Sequence, residues 1–228
     1  MRGWFALGLA LLTPAPAAAM EAGRFHLVRA ELDAGRADGE HIAAWDADAW
    51  VGGDNDKLWL KSEGEFEDGD LAAAEVQALW SHALAPFWDF QAGVRTDFEP
   101  SAETYLVVGL QGLTPYRFET EATGFVDEEG HLSARLHQSL DLHVTQRFIA
   151  EPYLEIEAYA HDEPARDIAT GLANAELGLQ LRYEISRKFA PYIDLAWERA
   201  LGDTATLLQS SGESDERSSL RAGVQFWF

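Results

Sequence analysis

Every second residue from Ala173 to Ile185 is apolar or aromatic: Ala173, Ala175, Leu177, Leu179, Leu181, Tyr183 and Ile185 share one parity, while Asn174, Glu176, Gln180, Arg182 and Glu184 carry the other. Successive side chains point to opposite faces in an extended strand, so this stretch is a strand with one apolar and one polar face. The pattern recurs at 132–144, where Leu132, Ala134, Leu136, Leu140, Leu142 and Val144 oppose Arg135, His137, Asp141 and His143. At 148–160, Phe148, Leu154, Ile156 and Ala158 oppose Glu151, Glu155 and Glu157. These runs exceed the about five or six residues usual in globular sheets. Their length suits a tilted crossing of an outer membrane.

Two further features favour a membrane barrel over a soluble sandwich. Short links at Leu84 to Pro86, Thr114-Pro115, Thr145 to Arg147 and Ser186 to Lys188 fall between longer ones at His161 to Thr170 and Gly202 to Ser218. Bacterial barrels show that asymmetry, with short periplasmic turns and long outer loops. The chain also ends in an alternating strand, Leu220, Ala222, Val224, Phe226 and Phe228, whose terminal aromatic resembles the signal read by the barrel-assembly machinery. The sequence therefore predicts an all-β fold, a transmembrane antiparallel up-and-down β-barrel of about twelve strands. They lie near 24–35, 40–52, 56–67, 71–83, 87–98, 102–112, 116–127, 131–144, 147–160, 171–185, 189–200 and 218–228. An even count places both chain ends on the periplasmic side.

Export is written at the N-terminus. Arg2, an apolar run from Trp4 to Leu12 and the small residues Ala17-Ala18-Ala19 form a secretory signal peptide over 1–19, leaving 20–228 as the barrel. The apolar run is too short for a bilayer, which takes roughly twenty helical residues. Acidic residues outnumber basic ones by 39 to 17, a formal net charge of -22. Nucleic acid is disfavoured as a partner, because its phosphates would be repelled, and the excess favours cations or simply solubility. The absence of cysteine excludes disulfides, thiolate ligands and a cysteine nucleophile.

No enzyme motif emerges. Ser81 and His82 are adjacent, so they point to opposite faces, and no Gly-x-Ser-x-Gly elbow is present. Trp45, Trp50, Trp59, Trp80, Trp88, Trp197 and Trp227 are expected in interfacial girdles at the outer-membrane lipid.

Four long strings then resemble one family. They are WDADAWVGGDNDKLWLKSEGE at 45–65, ALWSHALAPFWDFQAGVRTDFEP at 78–100, PYRFETEATGFVDEEGHLSARL at 115–136 and YEISRKFAPYIDLAWER at 183–199, with GDTA at 202–205 and the FWF ending. They resemble the copper-resistance protein B family, the CopB and PcoB type of outer-membrane protein, across about 45–228. The resemblance implies an outer-membrane protein of a copper-tolerance system that binds or helps export copper ions, with periplasmic copper-resistance proteins as partners. Family members often carry a Met- and His-rich segment before the barrel. Here Met1 and Met20 are the only methionines, so copper handling falls to the barrel itself.

Parity places Asp46, Asp48, Glu63, Glu65, Asp89, Glu119, Glu121, Asp141, Glu151, Glu155, Glu157, Glu176, Asp194 and Glu198 in the lumen, against Lys61, Arg95, Arg117, Arg135 and Arg182. Such a lumen concentrates cations, or else holds a network of ion pairs. The candidate metal residues are His131, His161, His143, Asp141, His137 and His41. His41, His131 and His161 fall towards the outer side, and His26, His82 and His143 towards the periplasm, with His137 between. His131 and His161 belong to adjacent strands near the outer rim. Asp141 and His143 are two positions apart on one face, roughly 7 Å, whereas His137 and His143 are roughly 20 Å apart and cannot share an ion. A general small porin or structural barrel, and more remotely a lipid-active enzyme, stand as alternatives on the residues alone.

Overall fold

A computed structural model describes residues 25–228. The proposed signal peptide at 1–19 and residues 20–24, including the first position of the expected strand 24–35, lie outside the described residues. The chain forms β1 (Phe25–Ala37), β2 (Glu40–Gly52), β3 (Asp56–Glu67), β4 (Asp70–Ala85), β5 (Trp88–Glu99), β6 (Glu103–Leu113), β7 (Glu119–Val126), β8 (Leu132–Ser139), β9 (Leu142–His143), β10 (Phe148–Tyr159), β11 (Gly171–Tyr183), β12 (Phe189–Ala200) and β13 (Glu216–Trp227). The two-residue β9 continues β8 along the same neighbour, β10, so the wall has twelve crossings. Each crossing pairs antiparallel with the next, and β1 pairs with β13 from Arg29↔Trp227 to Ala37↔Ser219. That last pairing closes the sheet and leaves no free edge.

Chemistry at the turns sets the register. Asp38-Gly39 and Asp68-Gly69 both adopt positive φ, at 50° and 102° and at 48° and 97°. Two-residue hairpins of the mirror-image type need that conformation at both central positions, and Asp-Gly supplies it at little cost. These two tight turns lie at the end away from the chain termini. The long outer connections are therefore confined to the remaining circumference, after β10 and β12. The connection after β12 is partly helical: α1 (Gly202–Ser211) ends on Gly212, in the left-handed conformation. The buried Thr204 hydroxyl pins α1 by accepting from the Ala169 amide at 3.0 Å and donating to the Ala169 carbonyl at 3.2 Å.

The molecule is apolar outside and polar within. Leu58, Leu106, Leu177, Ile193 and Leu220 are exposed on the outer wall. Asp48, Gln77, Ser81, Gln91, Arg95, Asp97, Asp194 and Gln225 are buried inside it. Solvation by lipid explains this inversion. The lumen is filled unevenly, because Leu79, Tyr105, Val107 and Phe125 form an inward apolar cluster with Trp59 packed on it. The girdle expectation thus fails for three tryptophans. Trp59 joins this cluster, Trp50 packs on Trp59 at 6.1 Å beneath Lys57, and Trp227 lies 6.0 Å from the Arg182 guanidinium. Arg117 also departs from expectation: it is exposed in a turn, with φ 68°, rather than on a lumen strand.

Glycine matters most where closure needs space. A Cβ at Gly223 of β13 would meet the Tyr192 ring at 2.6 Å and the Leu32 carbonyl at 2.7 Å. Across that gap Tyr192 donates to Asp33 at 2.7 Å, linking β12 to β1 over β13. Gly223→Val is expected to destabilise the barrel by about 1 to 3 kcal/mol through overpacking. Urea unfolding followed by tryptophan fluorescence measures this, and an unchanged midpoint would show that the seam has slack.

Candidate metal centre

The best-formed cluster of ligand types sits at the outer rim, where two connections meet. The β7–β8 turn runs through Asp127, Glu129 and His131, and the β10–β11 connection through His161 and Glu163. Asp127 organises the turn as an Asx motif: one carboxylate oxygen accepts the backbone amides of Glu129 at 2.8 Å and His131 at 2.9 Å. Its other oxygen lies 2.9 Å from His131 Nδ1. With the proton on Nδ1, that contact is a donated hydrogen bond, and Nε2 presents a lone pair to the cleft.

Asp127, His131 and Glu163 each place a ligand atom within 4.8 Å of the others. Glu129 adds a carboxylate oxygen 4.0 Å from His131 Nε2. They border an outer cleft of about 360 Å³ together with His161 and Glu103. The His131 and His161 rings stack with centroids 3.7 Å apart and planes 6° apart. Ring-nitrogen lone pairs lie in the ring plane, so parallel rings cannot both aim at one ion. His161 has to rotate before it can join His131 as a ligand.

The rim carboxylates differ in proton affinity. Slight desolvation of Asp127 is outweighed by the amides of His131 and Glu129 and by the imidazole, which hold its pKa below the ordinary value. Glu163 is shifted upward by desolvation and then by the neighbouring Glu103 carboxylate. A cation entering the cleft relieves that repulsion.

Beneath the rim lies a cavity of about 480 Å³, lined by twelve Asp or Glu residues against five arginines, with His137 on its wall. Arg135 is its main hub, with nitrogens 3.7, 3.5, 3.6 and 3.0 Å from carboxylate oxygens of Glu63, Glu75, Glu155 and Glu157. Ion pairs thus fill part of the lumen, and its lining keeps an excess of acid. Glu31, Asp33, Glu75, Asp97 and Glu99 also line this space, beyond the acids expected there from the sequence.

The other sequence-derived candidates are dispersed. His137 Nδ1 lies 3.2 Å from Glu155, with the Tyr153 ring stacked at 6.0 Å. Asp141 falls in the break between β8 and β9, where both its oxygens accept from Arg182 at 2.8 Å. The register on β10 nevertheless runs unchanged across the break, from Tyr153↔Ser139 to Ala150↔Leu142 and Ile149↔His143, so Asp141 and His143 stay on one face, and His143 is exposed at the periplasmic end. His41 is exposed at the outer rim on β2, away from the His131 turn. Ser81 is buried inside and held to Asp89 at 3.2 Å, whereas His82 stacks outside on Trp80 and binds Asp56 at 2.9 Å. These two side chains share no site.

Sequence reading paired His131 with His161 but missed Asp127, Glu129 and Glu163. The Asp-x-Glu-x-His spacing of a tight turn was a usable signal for the first two. Glu163 is brought in by the fold of a separate connection.

Comparison with known proteins agrees with this architecture. The family model for copper resistance protein B precursor (CopB) matches residues 24–228. Copper resistance protein B of Escherichia coli is 45% identical over 199 residues, covering 87% of this chain and 67% of that protein. The copper resistance protein B homolog of Pseudomonas syringae pv. tomato (strain ATCC BAA-871 / DC3000) is 42% identical over 192 residues, covering 84% and 65%. This chain thus spans about two thirds of the length of these relatives. The solved NanC porin superposes with a TM-score of 0.61 at 16% identity, over 86% of this chain and 98% of that one, which speaks to the fold alone. The closed barrel and a match running nearly the whole length of its wall show that this chain is an outer-membrane protein of the copper resistance protein B family.

Proposed function

We propose that the barrel captures copper ions at its outer rim and holds or passes them through its acidic lumen, contributing to copper resistance without enzymatic chemistry. The observation that carries this reading is the convergence of His131, Asp127 and Glu163 above a cavity rich in carboxylates. Imidazole and carboxylate donors, with neither cysteine nor a methionine in the described residues, suit Cu(II) better than the softer Cu(I). His131 Nε2 and Glu163 are the ligands, Asp127 orients the imidazole, and His161 completes the set by rotating. Because Glu163 binds as a carboxylate and its proton affinity is raised, copper affinity falls as the solution is acidified.

Deeper in the barrel, His137 with Glu155 forms a second stopping place, and His143 a third at the periplasmic mouth, where periplasmic copper-resistance proteins would exchange the ion. His41 and Asp141 have weaker claims, one standing apart and the other held by Arg182. A signal peptide over 1–19 delivers the chain to the barrel-assembly machinery in this reading. A simple porin would bind no metal selectively.

Calorimetric titration of the detergent-folded barrel with copper, zinc and calcium tests the proposal. Saturable binding that prefers copper is expected, and Asp127→Asn should weaken it by about 10- to 100-fold, as loss of an orienting partner does. Equal, weak uptake of all three metals would leave only an acidic porin.

A further inference from the structure

The five arginines that line the main cavity are not equivalent. Arg29, Arg95, Arg135 and Arg221 project from β1, β5, β8 and β13. Arg166 comes instead from the β10–β11 connection, at the end of a short turn Pro164–Arg166. From there it reaches inward to the Asp97 carboxylate and to the Tyr105 hydroxyl at 3.5 Å. Asp97 is only 1% exposed.

Two features allow this contact to break without unfolding the wall. Asp97 keeps a second guanidinium, because Arg95 donates to it at 2.5 and 2.8 Å. The base of the connection is stitched independently of Arg166. Glu163 and Ile168 exchange backbone hydrogen bonds at 2.8 and 3.2 Å, Thr170 donates amide and hydroxyl to Asp162 at 2.8 Å each, and Thr204 holds Ala169. Pro164, Ala165 and Asp167 around it are exposed, so the side chain of Arg166 is the tip's ionic tie to the wall.

A guanidinium on a loop, seated among carboxylates, occupies the place that an incoming cation would seek. We infer that Arg166 is a tethered cation that latches the β10–β11 connection into the outer mouth of the lumen and limits the entry of free cations. This inference rests on the reading of the lumen as a cation path, and makes Arg166 a determinant of its selectivity. Release leaves the cavity with more uncompensated acid and a wider mouth. Both changes favour cation flow.

The test is ion conductance of the refolded protein in planar bilayers with potassium chloride alone, so that copper binding plays no part. Folding of each variant is confirmed by heat-modifiable gel migration. Arg166→Ala is expected to raise conductance by roughly twofold or more and to shift the reversal potential towards cation selectivity, while Arg166→Lys stays near the parent. Since the chain contains no cysteine, Arg166→Cys offers a reversible version in one channel. A cationic thiosulfonate reagent should return its conductance and selectivity towards the parent, and a neutral reagent of similar size should leave the selectivity raised. Equal conductance and selectivity in parent and variants would overturn the latch while leaving the cation path standing. No conductance in any of them would overturn both.

Discussion

Replacing Arg135 with methionine should destabilise the barrel by about 3 kcal/mol, the lower end of the range for stripping one partner from a buried ion pair. The side chain stands among Glu63, Glu75, Glu155 and Glu157, and no other base contacts all four. Methionine fills similar volume, so the loss is of charge rather than of packing. The lower end applies because Glu63 and Glu155 side chains are 42% and 33% exposed and keep some solvation. Equilibrium unfolding of the parent and Arg135→Met at neutral pH reads this difference directly. Lowering the pH to about 4 should narrow it, since protonation removes the repulsion among the stranded carboxylates. A gap that persists unchanged in acid would mean that Arg135 acts through shape. Adding Glu157→Gln should recover part of the loss, because Arg135 is its ion-pair partner at 3.0 Å.

The second large effect falls on binding. His131→Ala removes the one nitrogen that the rim holds ready and should cut Cu(II) affinity by about 100-fold or more, beyond the loss expected from an orienting residue. His161→Ala should cost less, because its ring stacks on His131 and has to turn before it can bind. His143→Ala should leave the high-affinity step unchanged, since that residue lies at the opposite end of the barrel. Competition against a chelator of known copper affinity measures all three variants. Equal losses in all three would point to a diffuse acidic lumen rather than to a rim centre.

How far these features could be read in advance depends on the range of the interaction that sets them. Period-two alternation is local, so the crossing at Gly171–Tyr183 and the final strand are legible from parity. The two Asp-Gly hairpins are local as well, and the strand ends around them fall within two residues of expectation. The helix over Gly202–Ser211 is not legible, because its Thr- and Ser-rich sequence lacks a marked apolar face and packing at the rim decides its conformation. Parity also separates faces without saying how full the lumen is. Trp50 shares the parity of Asp46 and Asp48, Trp59 that of Lys61 and Glu63, and Trp227 opposes the outward Phe226 and Phe228, so parity itself points all three inward, where they pack, whereas the girdle expectation follows residue type alone. His131 and His161 share a rim because β8 and β10 are neighbours, which topology predicts. Glu163 and Arg166 owe their positions to an inward fold of one irregular connection, which no periodic signal encodes.

The central claim, a copper centre built on His131 at the outer rim, is tested most directly by electron paramagnetic resonance of the protein loaded with one equivalent of Cu(II). The account predicts nitrogen hyperfine coupling from directly bound imidazole, altered in His131→Ala and unchanged in His137→Ala and His143→Ala. A spectrum with oxygen ligands alone, or one that His131→Ala leaves unchanged, would contradict it.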